Sequence, residues 1–536
     1  MTDIEIPLKT EKTLHYRLFE ILPGVISYSV LVAPFVLSLI GASWAALFII
    51  LFILIWFVRA LALAIRVLQG WMTIKKHVKY DWLKMLDELE HLDPKGHSQN
   101  LPRWHYENIE RLRERPTSLK PSDIVHAVII ATHNESREIL EPTIQHLIDS
   151  HFDMKKVVFV LAYEERGGPE VEMRAKQLVD DYRSKFAHAM AVKHPDGIPN
   201  EVRGKGGNIT YAGRALQRYL EQENIDPRRV MVTTLDADNR PHPYYLAALT
   251  YTVAVSPDHI HVSYQPVPMY TNNIWDAPAP MRVIATGNSY WFVVLSMRPH
   301  MLRNFSSHAQ SMQALIETDF WSTRTIVEDG HQYWRTWFRF DGNHEVYPIF
   351  TPIYQDAVLA ENYRKTIKEQ FIQIRRWAYG ASDIAYVADK AFFSENKIPR
   401  KERWFKFLRL LEGHVSWATA PLILLFAAFI PVLFNQNDLA ANQLPQFASK
   451  IETLALVGVF ATMFFSFKTL PPKPARYKRH RTIWMVLQWA LLPVAGIGFG
   501  AMAALNSQTR LIFGRYLDKF DATKKAVKTD SKQTII

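Results

Sequence analysis

The sequence contains no cysteine. That excludes a disulfide framework and any cysteine-ligated zinc site, and it removes thiol usage as a guide to compartment. There is no short-period repeat and no low-complexity tract. The first apolar run lies behind the charged segment "LKTEKTLHYR", too far from the N-terminus to be read as an ordinary signal peptide. No nucleic-acid recognition module is found among the basic stretches, so nucleic acid is not expected as a partner.

What is present is a chain of 536 residues, too long for one core, so two or more structural units are expected. Hydrophobic residues make up 48% of it and concentrate towards the two ends, while the net charge of +11 suits anionic lipid or phosphorylated substrates. Residues 25–42 ("VISYSVLVAPFVLSLIGA") and 44–65 ("WAALFIILFILIWFVRALALAI") are apolar runs. Crossing a bilayer takes roughly 20 such residues; a buried core hairpin is the competing reading. Arg59 and Arg66, followed by the basic "KKHVKY", predict a cytoplasmic exit. The first unit is therefore a transmembrane hairpin over 1–70, followed by a linker with interfacial helices over 71–123.

Residues 124–387 read as an α/β domain. Strands are expected at "IVHAVIIAT", "KVVFVLA", "HAMAVKH" and "RVMVTTLDAD", with helices between them at about 170–187 and 208–222. The alternation predicts a mostly parallel sheet with both faces covered, whose ligands bind beyond the carboxyl ends of the strands. An amphipathic helix with interleaved Lys, Arg and aromatics (388–412) is expected to lie in the membrane interface. Beyond it a transmembrane region (413–509) holds the runs 416–434, 453–467 and 483–505. The loop between the first two is nearly uncharged and the next is strongly basic, so that pair leaves the cytoplasm and returns. The last unit, 510–536, is a basic tail.

"LDADN" ends the fourth strand with Asp236 and Asp238 one residue apart. Such a pair can share a hard cation, Mg2+ or Mn2+, which in turn holds a diphosphate as leaving group. A solvated turn is the plain alternative, but the hydrophobic strand before it favours a site. "TIVEDG" adds Glu328 and Asp329. "QIRRW" puts Gln373, Arg376 and Trp377 on one helix face, an amide for sugar hydroxyls, a guanidinium for phosphate and an indole for stacking on a sugar. "RGKGGN" opens a helix with Lys205 and free N–H groups, which suits an anion.

The ordered set "ATHNES", "RGKGGN", "LDADN", "TIVEDG" and "QIRRW", with apolar segments on both sides, resembles the family 2 glycosyltransferases, in particular the membrane-embedded processive cellulose, chitin and hyaluronan synthases. The resemblance covers about 125–385 and the architecture. It implies a GT-A catalytic domain and inverting hexosyl transfer from a nucleotide-sugar, usually a UDP-sugar, to a growing polysaccharide that the protein also exports. By that resemblance Asp236 and Asp238 meet nucleotide and metal, Asp329 is the base for the acceptor hydroxyl with Glu328 its neighbour, and Arg376 holds diphosphate. Gln373 and Trp377 would meet the acceptor. Thr132 and Glu135 fall in the first motif, and Glu164 or Glu165 stands where relatives carry an Asp-rich turn that meets the base; a solvated turn competes there. His133 and His331 are read as structural.

"KFDATKK" resembles the gating loop of these synthases, with Phe520, Thr523 and Lys525 at the matching positions and Ala522 in place of Val; a frayed basic tail is the alternative. A gate requires a cytoplasmic tail, so 483–505, broken by Pro493 and three glycines, is expected to be a re-entrant segment or tight hairpin rather than a span. The expected location is a bacterial inner membrane with the catalytic domain in the cytoplasm. A single transfer to a polyprenyl phosphate or lipid is the alternative activity. A non-catalytic transporter or scaffold is disfavoured by the intact carboxylates at 236, 238 and 329. Nothing in the sequence specifies an accessory subunit.

Overall fold

The structure, a computed structural model, describes residues 4–94, 101–117, 119–478 and 480–518. Four strands lie where the apolar runs predict them: β1 Val125–Thr132, β2 Val157–Glu164, β3 His188–His194 and β4 Val230–Asp236. They pair in parallel in the order β3-β2-β1-β4. Ile129, Val160 and Val232 are fully buried at their centres, and each such side chain contributes about 1.5–3 kcal/mol of apolar burial. The helices Pro169–Tyr182 and Lys205–Gln222 cover this half of the sheet. The second begins three residues before the predicted start, so Lys205, Gly206 and Gly207 form its first turn.

The other half went unpredicted. β5 Arg240–Pro241 and β7 Ala309–Ser311 are too short to show a period. β6 Val262–Met269 and β8 Glu345–Tyr354 carry Pro266, Pro268, Pro348 and Pro352, which lower any strand reading because proline has no N–H to give a ladder. They pair in parallel nonetheless, with an irregularity between Pro266 and Pro268. Among the described residues the sheet has eight strands in the order β3-β2-β1-β4-β7-β6-β8-β5, mixed but mostly parallel.

Among the described residues five helices are long and apolar enough to cross a membrane: Leu14–Ile40, Ala42–His77, Arg400–Phe434, Leu439–Thr469 and His480–Ile512. Side chains fix two of their starts. Thr13 accepts from the Tyr16 N–H, and Asp438 accepts from the Ala441 N–H. The first four make two out-and-back pairs from the α/β domain. Glu5, before the first helix, reaches Arg335 and Ser322 of the domain. Gly70, near the end of the second, packs against Val293. At the far ends Asn435 donates to the Ser38 carbonyl (2.8 Å), and after the fourth helix the Pro471 carbonyl accepts from Trp275 (2.9 Å). Arg59, inside the second helix, is paired with Glu412 at 2.7 Å.

Two expectations change. The segment 388–412 is not one interfacial helix: a π-helical turn ends at Phe393, and from Arg400 an unbroken helix carries 401–413 straight on to Phe426. Nothing in "LEGHVSW" stops it, because Gly413 costs only about 1 kcal/mol in a helix. Residues 483–505 are not a hairpin: Pro493 and the glycines only loosen one helical rod into 3-10 and π turns. Both ends of that rod nevertheless meet the domain side. Arg481 donates to the Trp275 carbonyl (2.9 Å), and Arg17, in the first turn of the first helix, donates to the carbonyls of Leu511 (3.1 Å) and Ile512 (3.2 Å). Its middle rests beside Trp417 and Pro421.

Candidate active site

The carboxyl ends of β1, β2 and β4 share one edge, since Ala131 lies level with Asp236 and Thr132 with Tyr163. After β4 the turn is held by Asn239, whose Oδ1 accepts from the Asp236 N–H (2.8 Å) and from the Ser307 hydroxyl (2.7 Å). Asp238 is buried; its Oδ2 accepts from the Asp356 N–H (3.1 Å), and its carbonyl accepts from Asn272 (3.1 Å). The turn that carries the two carboxylates is thus fixed by hydrogen bonds with both halves of the sheet.

Lys205 lies at the centre. Only 8% exposed, its Nζ is 2.9 Å from Asp236 Oδ1 and 3.2 Å from Asp329 Oδ2. Burial alone would lower its pKa, but Asp236 and Asp329 outweigh that and hold it well above the ordinary lysine value. Three stretches spread over 124 residues of sequence therefore meet at one cation. Gly206 makes the approach possible: a Cβ there would stand 2.3 Å from the Ser322 carbonyl oxygen and 3.2 Å from Glu328 Cβ. Asn208, one turn on, donates to the carbonyls of Thr132 (3.3 Å) and Ala162 (3.1 Å), tying the helix to the strand ends.

Glu328 and Asp329 open the helix Glu328–Arg339. Glu328 is buried, and burial together with the Asp329 charge pushes its carboxyl well above the usual range against the pull of Lys205 and Arg376. The protonated form of Glu328 is thereby favoured. His308 Nδ1 lies 3.8 Å from Asp329. Its Nδ1–H bonds the Phe305 carbonyl (2.8 Å) and its Nε2 accepts from Trp321 Nε1 (3.1 Å), so both nitrogens are engaged. Burial lowers its pKa further, against the Asp329 charge, and makes it a neutral prop.

Gln373, Arg376 and Trp377 sit half-buried on the helix Tyr363–Ala378, which Asn362 caps. Trp377 stands 6.1 Å from the ring of Tyr270. Tyr270 is buried, and burial, with Asp236 and Asp238 adding to it, raises its hydroxyl pKa, while the Arg376 charge opposes. Gln373 accepts from Gln370 (3.2 Å). Glu135 folds back on its own turn, accepting from the Thr132 hydroxyl (2.8 Å) and the N–H groups of His133 (2.8 Å) and Asn134 (3.2 Å). Glu164 pairs with Arg166 beside a small cavity that His194 and Arg203 also line. His331, fully buried, bonds Asp383 at 2.8 Å. Phe520, Thr523 and Lys525 lie outside the described residues.

Sequence reasoning missed Ser306, whose hydroxyl donates to Asp236 Oδ2 (2.5 Å), as well as Tyr270, His308 and Asn239. Asn239 had a local signal, the fourth letter of "LDADN". The other three come from segments with no motif of their own.

A divalent cation fits this edge. Asp236, Asp238 and Asp329 all act on Tyr270 and so lie close together, and the donors they offer are hard oxygens. Among the described residues no three His, Asp or Glu side chains form a ready-made cage. Magnesium ordinarily takes one or two carboxylates plus substrate phosphate and water, so two suffice.

No protein-family model matches the chain, and no curated protein matches it in sequence. Among solved structures it is similar to the mannosyltransferase PcManGT from Pyrobaculum calidifontis in complex with GDP-Man and Mn2+, at 13% identity over 79% of this chain and 97% of that one, with a TM-score of 0.37. It is also similar to S. aureus TarS residues 1–349 in complex with UDP-GlcNAc, at 11% identity over 77% and 98% of the two chains, with a TM-score of 0.34.

Proposed function

We propose that this chain is an inverting hexosyltransferase of the family 2 type, which moves a sugar from a nucleotide-sugar, a UDP-sugar in the first instance, to the end of a growing polysaccharide and passes the product through its own membrane helices. The observation that carries the reading is the meeting of Asp236 and Asp329 on buried Lys205 at the carboxyl edge of a parallel sheet. In this reading Thr132, Glu135 and Glu164 border the nucleotide, and Lys205 and Arg376 bind the diphosphate. Gln373 and Trp377 hold the acceptor. Asp329 takes the proton of the acceptor hydroxyl as that oxygen attacks the anomeric carbon, and the bond from that carbon to the diphosphate breaks on the opposite face. Asp236 and Asp238 would hold Mg2+ or Mn2+, which when bound offsets the charge growing on the departing diphosphate. Once the donor is seated, Lys205 can turn from the carboxylates to the leaving group without leaving its buried position.

The basic ends of the apolar helices support a cytoplasmic domain, and in this reading the membrane is a bacterial inner membrane. Incubation of the purified protein with a panel of nucleotide-sugars and Mg2+ or Mn2+ tests the reading: one donor should release nucleoside diphosphate, and the release should require the metal. High-mass product favours the polymer, and a single sugar on added polyprenyl phosphate favours lipid transfer. No release with any donor and acceptor would remove the proposal.

A further inference from the structure

Where the domain meets the apolar helices there is a cavity of about 650 Å3, bounded by the start of the helix Ala279–Ser296 and by the fifth long helix. Its floor is cationic. Arg282 is 2% exposed, and its guanidinium meets only neutral acceptors, Gln488 Oε1 at 2.5 Å and the Ala277 carbonyl at 2.7 Å. Burial and the nearby charge of Arg481 push its pKa down to about 10, with Tyr477 opposing. Arg481 gives one N–H to the Trp275 carbonyl and lies over the Tyr477 ring, while its buried Nε has no hydrogen-bond partner. The lining carboxylate, Asp276, is already matched by Arg476 at 2.7 Å and by the Tyr477 hydroxyl. Two arginines thus face one space with no acid left to balance them among the described lining residues.

The helix Ala279–Ser296 also opens on this space, with Pro278 and Ala279 in the wall and no side-chain cap. The positive end of its dipole adds to the same field. The rim is different in kind. Trp484 and Leu487 are 58% and 54% exposed and belong to a helix apolar enough to enter a bilayer. A soluble anion would use the floor and leave the rim wet. A phosphate with hydrocarbon attached would use both.

We propose that this cavity is a binding site for the phosphate head of an anionic membrane lipid, with Arg282 and Arg481 on the phosphate and the chains laid along Trp484 and Leu487. The site is independent of the sugar-transfer reading. Bound lipid would brace the wall behind the candidate active site, because Trp275 and Met485 pack in one cluster with Tyr270 and Trp377.

The test uses the full chain, delipidated in a neutral detergent and titrated with palmitoyl-oleoyl phosphatidylglycerol or phosphatidylcholine under native mass spectrometry. One phosphatidylglycerol per chain should be retained in preference to phosphatidylcholine. Arg481→Gln should weaken that retention about tenfold or more, the effect of losing a charge-assisted hydrogen bond. Leu487→Glu, at the exposed rim, should weaken it as well without touching the floor. Leu487 is at the exposed rim and Arg481 is half-buried, so both variants should stay folded by gel filtration; Arg282→Gln is a supporting variant only where it too stays folded. Equal retention of the two lipids, or full retention by Arg481→Gln, would overturn the proposal. Displacement of phosphatidylglycerol by millimolar inorganic phosphate would also overturn it, by making the occupant a soluble anion.

Discussion

Gly206→Ala is the sharpest perturbation of the candidate active site. The new methyl would stand 2.3 Å from the Ser322 carbonyl oxygen, where ordinary contact begins at 3.4 Å, so the two must part by about 1 Å. The oxygen cannot easily yield. Its neighbours are pinned by Thr210, which donates to the Trp321 carbonyl (2.8 Å) and accepts from the Trp321 N–H (3.1 Å), and by Val202, which donates to the Thr323 carbonyl (2.8 Å). The helix start must therefore move, and it carries Lys205. Overpacking costs about 1–3 kcal/mol. Alanine returns about 0.5–1 kcal/mol of helix propensity, so the net loss of stability is between nothing and about 2.5 kcal/mol. The effect on turnover is larger, because a displacement of about 1 Å in a reacting constellation can cost about 100-fold. Gly207→Ala is the control. Its methyl meets Glu201 Oε2 at 2.9 Å and the His194 ring at 3.2 Å, both ends of side chains that can rotate away. Nucleotide release and thermal unfolding in detergent should show a folded Gly206→Ala that is nearly inactive beside a Gly207→Ala close to the parent. Parent-like turnover in Gly206→Ala would refute the view that this contact sets the position of Lys205.

Four further outcomes are expected. Asp329→Asn should keep donor affinity, measured by calorimetry, while transfer falls about 100-fold or more; a parallel collapse of affinity would make Asp329 a binding residue. Asp238→Asn should abolish transfer and remove the metal dependence of nucleotide binding, and unchanged turnover would end the metal assignment. For Glu328 the sign follows from a carboxyl whose pKa is raised in the fold by burial first and Asp329 second. Its stability contribution is whole below the unfolded glutamate value and is lost as pH rises towards the folded one, so Glu328→Gln should flatten the fall in melting temperature seen in the parent from about pH 5 upward; identical slopes would contradict the shift. Finally, single cysteines at Lys478 and Asp518, introduced into a chain that has none, should label from the same side of sealed vesicles, and one at Asn437 from the other; opposite labelling of 478 and 518 would restore the fifth helix as a full crossing.

The sequence by itself determined the elements whose physics is local. The strands β1, β2 and β4 show because each is a run of apolar or β-branched residues and β3 through its shorter apolar centre at 189–192, and the two helical hairpins show because about 20 apolar residues leave few other options. The position of Asp236 was legible because it ends such a strand, whereas Asp329 and the Gln373–Trp377 face were read from the order of the motifs. Tertiary structure decided what depends on partners. β6 and β8 carry prolines that argue against strands until each supplies the other's ladder. The third long helix ignores the expected break near 412 because packing, together with the Arg59–Glu412 pair, outweighs one weak glycine. Only the fold brings Ser306, Tyr270 and His308 to the carboxylates, since none is near them in sequence. The same holds for Lys205. Its place in a glycine-rich helix start suggested an anion, but the two carboxylates that hold it arrive from other strands and helices, and a buried charge is defined by what faces it. The fifth helix makes the point for topology: hydropathy sets how long a segment can be in a bilayer, while the partners at its two ends, Trp275 and Arg17, decide whether it crosses.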